Sequence, residues 1–381
     1  MKKVSRVIAM AIAFMMIATA FVGMNISVSA AGTVAKVTST VKAGSYSTVK
    51  TIDLRTLTNG AKIYYTTNGK TPTTKSTKYS KAFTISKTTT IKAIGVKSGM
   101  LTSAVATFAY KLNIVPTNMT GTITMSGSSA LLPVAQYIAN RFKAKNPSLS
   151  ITVNGGGSGT GLNNVLAGTV DIGNSDVYAA EKLSATDAAK LSDHKVCLIG
   201  VAMVVHSEVG ALVKNITTAN LKKIYDGTYT NWNQLSGPNQ AIVVVNRPAS
   251  SGTRALFIKW AIDGQTEIAG DSSLTTDDSN TLSSTVANTK GAIGYLALSY
   301  VQGSTKSFKT LNINGAAPTY SNIYSYKYKV WGYEHMYTKG AATGNAKTFL
   351  NYMSTDDLAS TYEVLGYGSI KKLSTSAANS R

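Results

Sequence analysis

Residues Gly155–Asp176 read GGGSGTGLNNVLAGTVDIGNSD. Three glycines and Ser158 open a stretch that predicts a helix, with Leu162 to Leu166 inside it. A short strand, Val170 to Gly173, follows and runs out on Asn174-Ser175-Asp176. Glycines let a backbone approach a ligand closely, and a helix N-terminus presents unpaired N–H groups to an anion. An acid beside an anion site repels the ligand unless the ligand carries a proton that the carboxylate accepts. The pairing therefore points to a protonated oxyanion such as hydrogen phosphate.

Working outward, the same junction recurs on both sides. Thr122-Ile123-Thr124-Met125 predicts a strand ending in Ser126-Gly127-Ser128-Ser129-Ala130-Leu131, and Leu131 to Lys143 predicts an amphipathic helix with Val134, Ala135, Ile138 and Phe142 on one face. A strand over Leu149–Val153 precedes the glycines. Further on, a strand over Ala241–Val245 delivers Asn246-Arg247, and Ser250-Ser251-Gly252-Thr253 starts a helix running to Ile262. Serines before an apolar periodic run are helix caps when taken alone. Three strand-to-Ser/Gly-to-helix junctions in one alternating α/β segment place donors at the carboxyl ends of strands, where such folds bind ligands. Arg247 can donate paired hydrogen bonds to two oxygens of a tetrahedral anion. For Asp176 the competing role is a cap after the strand.

The rest of the chain sets the frame. It has 381 residues, 44% of them hydrophobic and 14% charged, a globular composition long enough for more than one domain. Residues 1–30 predict a signal peptide: Lys2, Lys3 and Arg6, then an uncharged run from Val7 to Met24, then small residues up to Ala30. An uncleaved membrane anchor is the rival reading of that run. Cys197 is the sole cysteine, so no internal disulfide can form. It does not follow the leader, so the expected mature protein is secreted to the extracellular cell envelope without a lipid anchor.

Residues 31–112 predict an all-β sandwich, with alternation in Ala61–Thr67, Thr89–Val96 and Ala104–Tyr110 and turns at Asn68-Gly69, Thr71-Pro72 and Lys97-Ser98-Gly99. Tyr64, Tyr65, Phe83 and Phe108 are expected to pack within it. The net charge is +21, and residues 31–116 hold thirteen Lys or Arg against one acid, Asp53. That asymmetry predicts a polyanionic neighbour, an anionic cell-wall polymer or an anionic membrane surface rather than nucleic acid, with a solvated basic surface as the plainer account. Residues 113–119, with Pro116, form a linker.

An enzyme finds little support. His194, His206 and His335 have no metal-ligand spacing. Thr160 breaks the G-x-S-x-G pattern, no Lys follows the glycines as a P-loop requires, and G-x-G-x-x-G fails at every register. No catalytic residue, metal, cofactor or nucleic-acid partner is expected.

Two resemblances follow from these residues. YYTTNGKTPT at Tyr64–Thr73, followed by the strand TTIKA at Thr89–Ala93, resembles the chitobiase/β-hexosaminidase C-terminal-like domain, a small sandwich of poorly defined role. From Gly121 to about Gly368, the pieces GSSALLPVA, GGGSGTG, VDIGNSD, IYDGTYTNWNQL, NRPASSGTRALF and KGAIGYLAL are similar to the phosphate-binding protein of bacterial ABC phosphate importers, a class II substrate-binding protein. The resemblance implies a two-lobed periplasmic-binding-protein-like α/β domain over residues 120–381. Lobe 1 would take 120–200 and 299–381 and lobe 2 would take 201–298, with hinge strands crossing near Gly200–Val205 and Ile293–Leu298. It implies inorganic phosphate as ligand, a membrane ABC importer permease as partner, and a monomer. Ser128, Ser129, Ala130 and Leu131 fall on its first phosphate loop and Ser158 on its second. Asp176 falls on its proton acceptor, and Arg247, Ser251, Gly252 and Thr253 on its third loop. Many members carry an acid just after the arginine. Pro248 and Ala249 stand there instead, leaving open what orients Arg247. Sulfate, molybdate or tungstate binding, a secreted phosphatase and an envelope phosphate sensor are the alternatives.

Overall fold

In the computed structural model the described residues are 32–268 and 274–381, so the expected leader lies outside them. They divide into two compact units. The first comprises residues 32–43, 50–85 and 89–109. Its strand Lys62–Thr66 lies between Thr77–Lys78 and Thr89–Val96, antiparallel to both. Lys50–Ile52 pairs with Phe83–Ile85, and Thr38–Ser39 with Leu54–Arg55. Alternation sends Ile91, Ala93, Ile52 and Leu54 into its core, and Tyr65 stacks on Phe83 with ring centroids 4.8 Å apart. Packing between strands of two different sheets thus accounts for these two aromatic residues. Residues 44–49 and 86–88 group with the second unit, where Gly44–Tyr46 pairs in parallel with Tyr110–Leu112.

The second unit is built on one mixed sheet. Strand β1 (Gly121–Gly127) alternates Ile123 and Met125 into the core, and helix α1 (Leu132–Lys145) returns the chain to the parallel strand β2 (Leu149–Asn154). Pro133 sits in the first turn of α1, where its missing N–H has no partner to lose. Helix α2 (Ser158–Ala167) ends on Gly168 in the left-handed conformation and leads to β3 (Ile172–Ser175), also parallel to β1. β3 begins two residues later than its apolar pattern predicts, because Asp171 is turned to accept from the Thr124 backbone N–H and hydroxyl.

Strand β4 (Leu191–His206) is the longest element among the described residues, and every residue from Val196 to His206 is buried. Its sequence reads as a continuous apolar run because both faces are covered. The first ten residues pair antiparallel with β8 (Trp331–Lys339). The last six carry β6 (Ala292–Ala297) and β7 (Phe308–Ile313). Between these come β5 (Val243–Val244), helix α3 (Gly252–Ala261) and helix α4 (Ser279–Asn288). The strand order is β2-β1-β3-β8-β4-β6-β5, with β7 also on β4.

One core gathers Val134, Ile138, Phe142, Met336 and Phe349 in the first half of the sheet; another gathers Val205, Trp232, Phe257, Tyr295 and Trp331 in the second. β4 therefore crosses between halves near Gly200, within the expected segment. The return does not run through Ile293–Leu298, because β6 pairs wholly with the second half. It runs through Val330, whose carbonyl accepts from the Val201 N–H at 2.9 Å, into Trp331 opposite Gly200. Residues 299–329, β7 among them, follow the second half accordingly. Residues 196–206 and 292–297 are both continuous buried runs, so burial alone does not say which of them spans.

Helix α2 meets the sheet backbone to backbone. A Cβ at Gly161 would lie 2.6 Å from the Ser126 carbonyl oxygen, 2.7 Å from that of Asn174 and 2.7 Å from Gly127 Cα. None of these is a movable side chain. Gly161→Ala is expected to destabilise the chain by about 1–3 kcal/mol through overpacking, read as a lower urea midpoint at unchanged slope. An unshifted midpoint would show that the seam can relax.

Candidate functional site

β1, β2 and β3 are parallel neighbours, so their carboxyl ends open on one side. β1 delivers Ser128 and Ser129 through Gly127. That glycine sits at φ +134°, and a Cβ on it would collide with the Asn174 carbonyl. β2 delivers Ser158 through Gly156 and Gly157, both at positive φ, and β3 delivers Asp176. From the second half, β5 delivers Arg247. Ser251 then caps α3 by accepting from the Arg254 N–H. Ser128, Ser129, Ser158, Asp176, Arg247, Ser251 and Thr253 are all buried.

Asp176 is where these loops meet. Ser128 Oγ donates to its Oδ1, and Thr253 Oγ1 donates to its Oδ2 at 2.8 Å. Its own backbone N–H donates to Ser158 Oγ at 2.9 Å. The Leu131 N–H donates to Ser128 Oγ at 3.0 Å, and the Gly159 N–H reaches across to the Ser250 carbonyl at 2.9 Å. Gly252 makes the closest approach. A Cβ there would strike Ser158 Oγ and lie 2.8 Å from Asp176 Cβ. Asp176 thus joins the two halves of the sheet, its carboxylate accepting from Ser128 and Thr253 and its backbone N–H donating to Ser158.

Arg247 is held by groups absent from its own loop. Nη1 donates to the Asp277 carbonyl at 3.0 Å, Nη2 to Ser279 Oγ at 3.1 Å, and Nε to the Tyr295 carbonyl at 3.4 Å. The Asp277 carboxylate is 3.7 Å from Nη1. The acid missing at Pro248 and Ala249 is therefore supplied from the turn before α4. Burial raises the Asp277 pKa, and the Arg247 charge opposes that rise. Ser129 Oγ donates to the same Asp277 carbonyl at 2.6 Å, and its own carbonyl accepts from Tyr300 Oη at 2.8 Å. Ser129 and Arg247 thus meet at Asp277. Ser251 Oγ is engaged as the α3 cap, whereas Ala130 and Leu131 present backbone here and bury their side chains in the two cores.

Sequence reasoning missed Asp277, Ser279, Tyr300 and Lys182. Asp278 caps α4 by accepting from the Thr281 N–H at 2.6 Å, so Asp277-Asp278-Ser279 reads as an ordinary helix start. Lys182 donates to the Ala249 and Ser251 carbonyls at 2.7 and 3.1 Å. Burial pulls its pKa down, while the Asp176 and Asp277 charges pull it up. A cluster of hydroxyls, N–H groups and one guanidinium around the Asp176 carboxylate suits a tetrahedral anion that brings its own proton.

The family model described as PBP superfamily domain matches residues 115–357, and that of the chitobiase/beta-hexosaminidase C-terminal domain matches residues 41–107. The phosphate-binding protein PstS of Bacillus subtilis (strain 168) is 47% identical over 238 residues, 62% of this chain and 77% of that protein. A Clostridium perfringens protein, described as a phosphate ABC transporter substrate-binding protein and solved with bound phosphate, is 26% identical with a TM-score of 0.58. The match covers 66% of this chain and 100% of that one. An ABC-type phosphate transport receptor from Vibrio cholerae is 26% identical with a TM-score of 0.52, over 65% of this chain and 99% of that one. The chain belongs to the PBP superfamily and, within it, to the family of the phosphate-binding protein PstS.

Proposed function

We propose that this chain captures inorganic phosphate outside the membrane and delivers it to an ABC importer permease, binding without turnover. The observation that carries the reading is the Asp176 carboxylate, buried among donors from both halves of the sheet. Ser128, Ser129, Ser158, Arg247, Ser251 and Thr253 would donate to phosphate oxygens, with backbone N–H groups of Ala130, Leu131 and Gly252. Asp176 would accept the phosphate proton. Sulfate has no proton to give at neutral pH, so Asp176 would meet it with an unpaired, repulsive contact costing several kcal/mol. Ligand entry would use the β4 and Val330–Trp331 connections as a hinge.

Among the described residues no helix is long and apolar enough to cross a membrane. With the leader expected from residues 1–30, this supports a secreted protein, and we read it as a monomer without a lipid anchor. Eleven of the thirteen cations of residues 31–116 lie in the first unit and would hold it against anionic wall polymer.

Arg247→Ala should weaken phosphate binding by about 2–5 kcal/mol, measured by calorimetry, because a paired, buried charge contact is lost. Asp176→Asn should raise sulfate affinity relative to phosphate; unchanged selectivity would refute the proton-acceptor role. Wild-type protein that prefers sulfate or molybdate would overturn the phosphate assignment itself. Binding of the full chain to anionic wall polymer should fall steeply as salt rises from about 0.01 to 0.15 M. Salt-insensitive binding would point to glycan recognition instead.

A further inference from the structure

Directly behind Asp176 lies a second acid. On β8, Glu334 pairs with Cys197 of β4. On its other side the ladder Asn174↔Met336, Ser175↔His335 brings Asp176 next opposite Glu334, on the same face. Glu334 is 0% exposed, and neither carboxyl oxygen meets a donor. The group it faces is the Asp176 carboxylate. Two ionised carboxylates are both acceptors, so they bond only if one of them holds a proton. The surroundings say which one. Asp176 receives Ser128 Oγ and Thr253 Oγ1, donors that favour its charged form. Glu334 receives none.

We propose that Glu334 is a neutral carboxylic acid that donates to Asp176 from behind, a positioning residue that keeps Asp176 ionised and turned as an acceptor toward the anion. This rests on the phosphate reading of the site and deepens it. Were Glu334 to pass its proton to Asp176 instead, Glu334 would become the charged member of the pair. Asp176 could then act as a donor and admit a fully ionised anion. Selectivity for a protonated anion is thus set one residue behind the contact itself.

The neighbours agree. Burial first, and then the Asp176 charge, hold the Glu334 pKa well above the ordinary glutamate value. The other groups that reach it are the Cys197 thiol and the phenols of Tyr300, Tyr320 and Tyr367, each kept neutral by burial. A carboxyl whose pKa is raised on folding contributes stability that is complete below its unfolded pKa and is lost as the pH climbs toward the folded value.

Glu334→Gln keeps the shape and a donor, and Glu334→Leu removes the donor. The infrared spectrum of the wild type should show a protonated carboxylic acid band that persists above the ordinary glutamate range and is missing in Glu334→Gln. The stability of wild type relative to Glu334→Gln should fall as the pH rises through that window. Glu334→Gln should bind phosphate within a few-fold of wild type, whereas Glu334→Leu should lose about tenfold or more and discriminate less against sulfate. If Glu334→Leu does not fold, the infrared band and the stability profile of Glu334→Gln decide. A wild type that binds no phosphate refutes the phosphate reading. A wild type that binds it, with no such band or with a folded Glu334→Leu of equal affinity and selectivity, overturns the role given to Glu334.

Discussion

A buried carboxylate that accepts from both halves of one sheet domain organises this molecule. Asp176 cannot be left bare in a low-dielectric interior, so donors must surround it. Those donors come from the end of β1 on one side and from the first turn of α3 on the other. Its place at the end of β3 requires Gly127 and Gly161, where helix and sheet touch through backbone alone, and Gly173, packed under the Gly161 backbone and the Val165 side chain. It also requires Gly252, since any side chain there would hold the two halves apart. The glycines that first drew attention to Gly155–Asp176 thus belong to a wider set, spread over elements far apart in sequence.

β4 gives this arrangement its mechanical frame. A single strand is paired through its first ten residues in one half and through its last six in the other. Such a strand transmits rotation while both sets of ladder bonds remain intact. The Val201 N–H bond to the Val330 carbonyl fastens the return connection beside it. The two connections lie side by side, which fits relative motion of the halves as hinge bending.

How much of this was legible depended on distance along the chain. The three loops were readable because each encodes its geometry within a few residues: a strand, a Ser/Gly turn and a capped helix. The fold class followed from their alternation. The support of Arg247 was not readable, because Asp277 and Ser279 come thirty residues later and look like the start of α4. The strand expected over Ala241–Val245 shrank to Val243–Val244 once Asn246 turned to donate to the Ile268 carbonyl. Glu334 stands as an acid in an apolar strand, WGYEHMY, and only the register with Asp176 gives it a partner.

Lys182 adds a further constraint. Its ammonium joins two backbone carbonyls across the cleft, and it is already stripped of much of its water. Separation of the halves would break both bonds, and the half-buried ammonium would exchange them for water as the gap opens. Such a latch weighs on the closed arrangement without dictating how far the halves part, so Lys182 would tune the ease of release and not its extent.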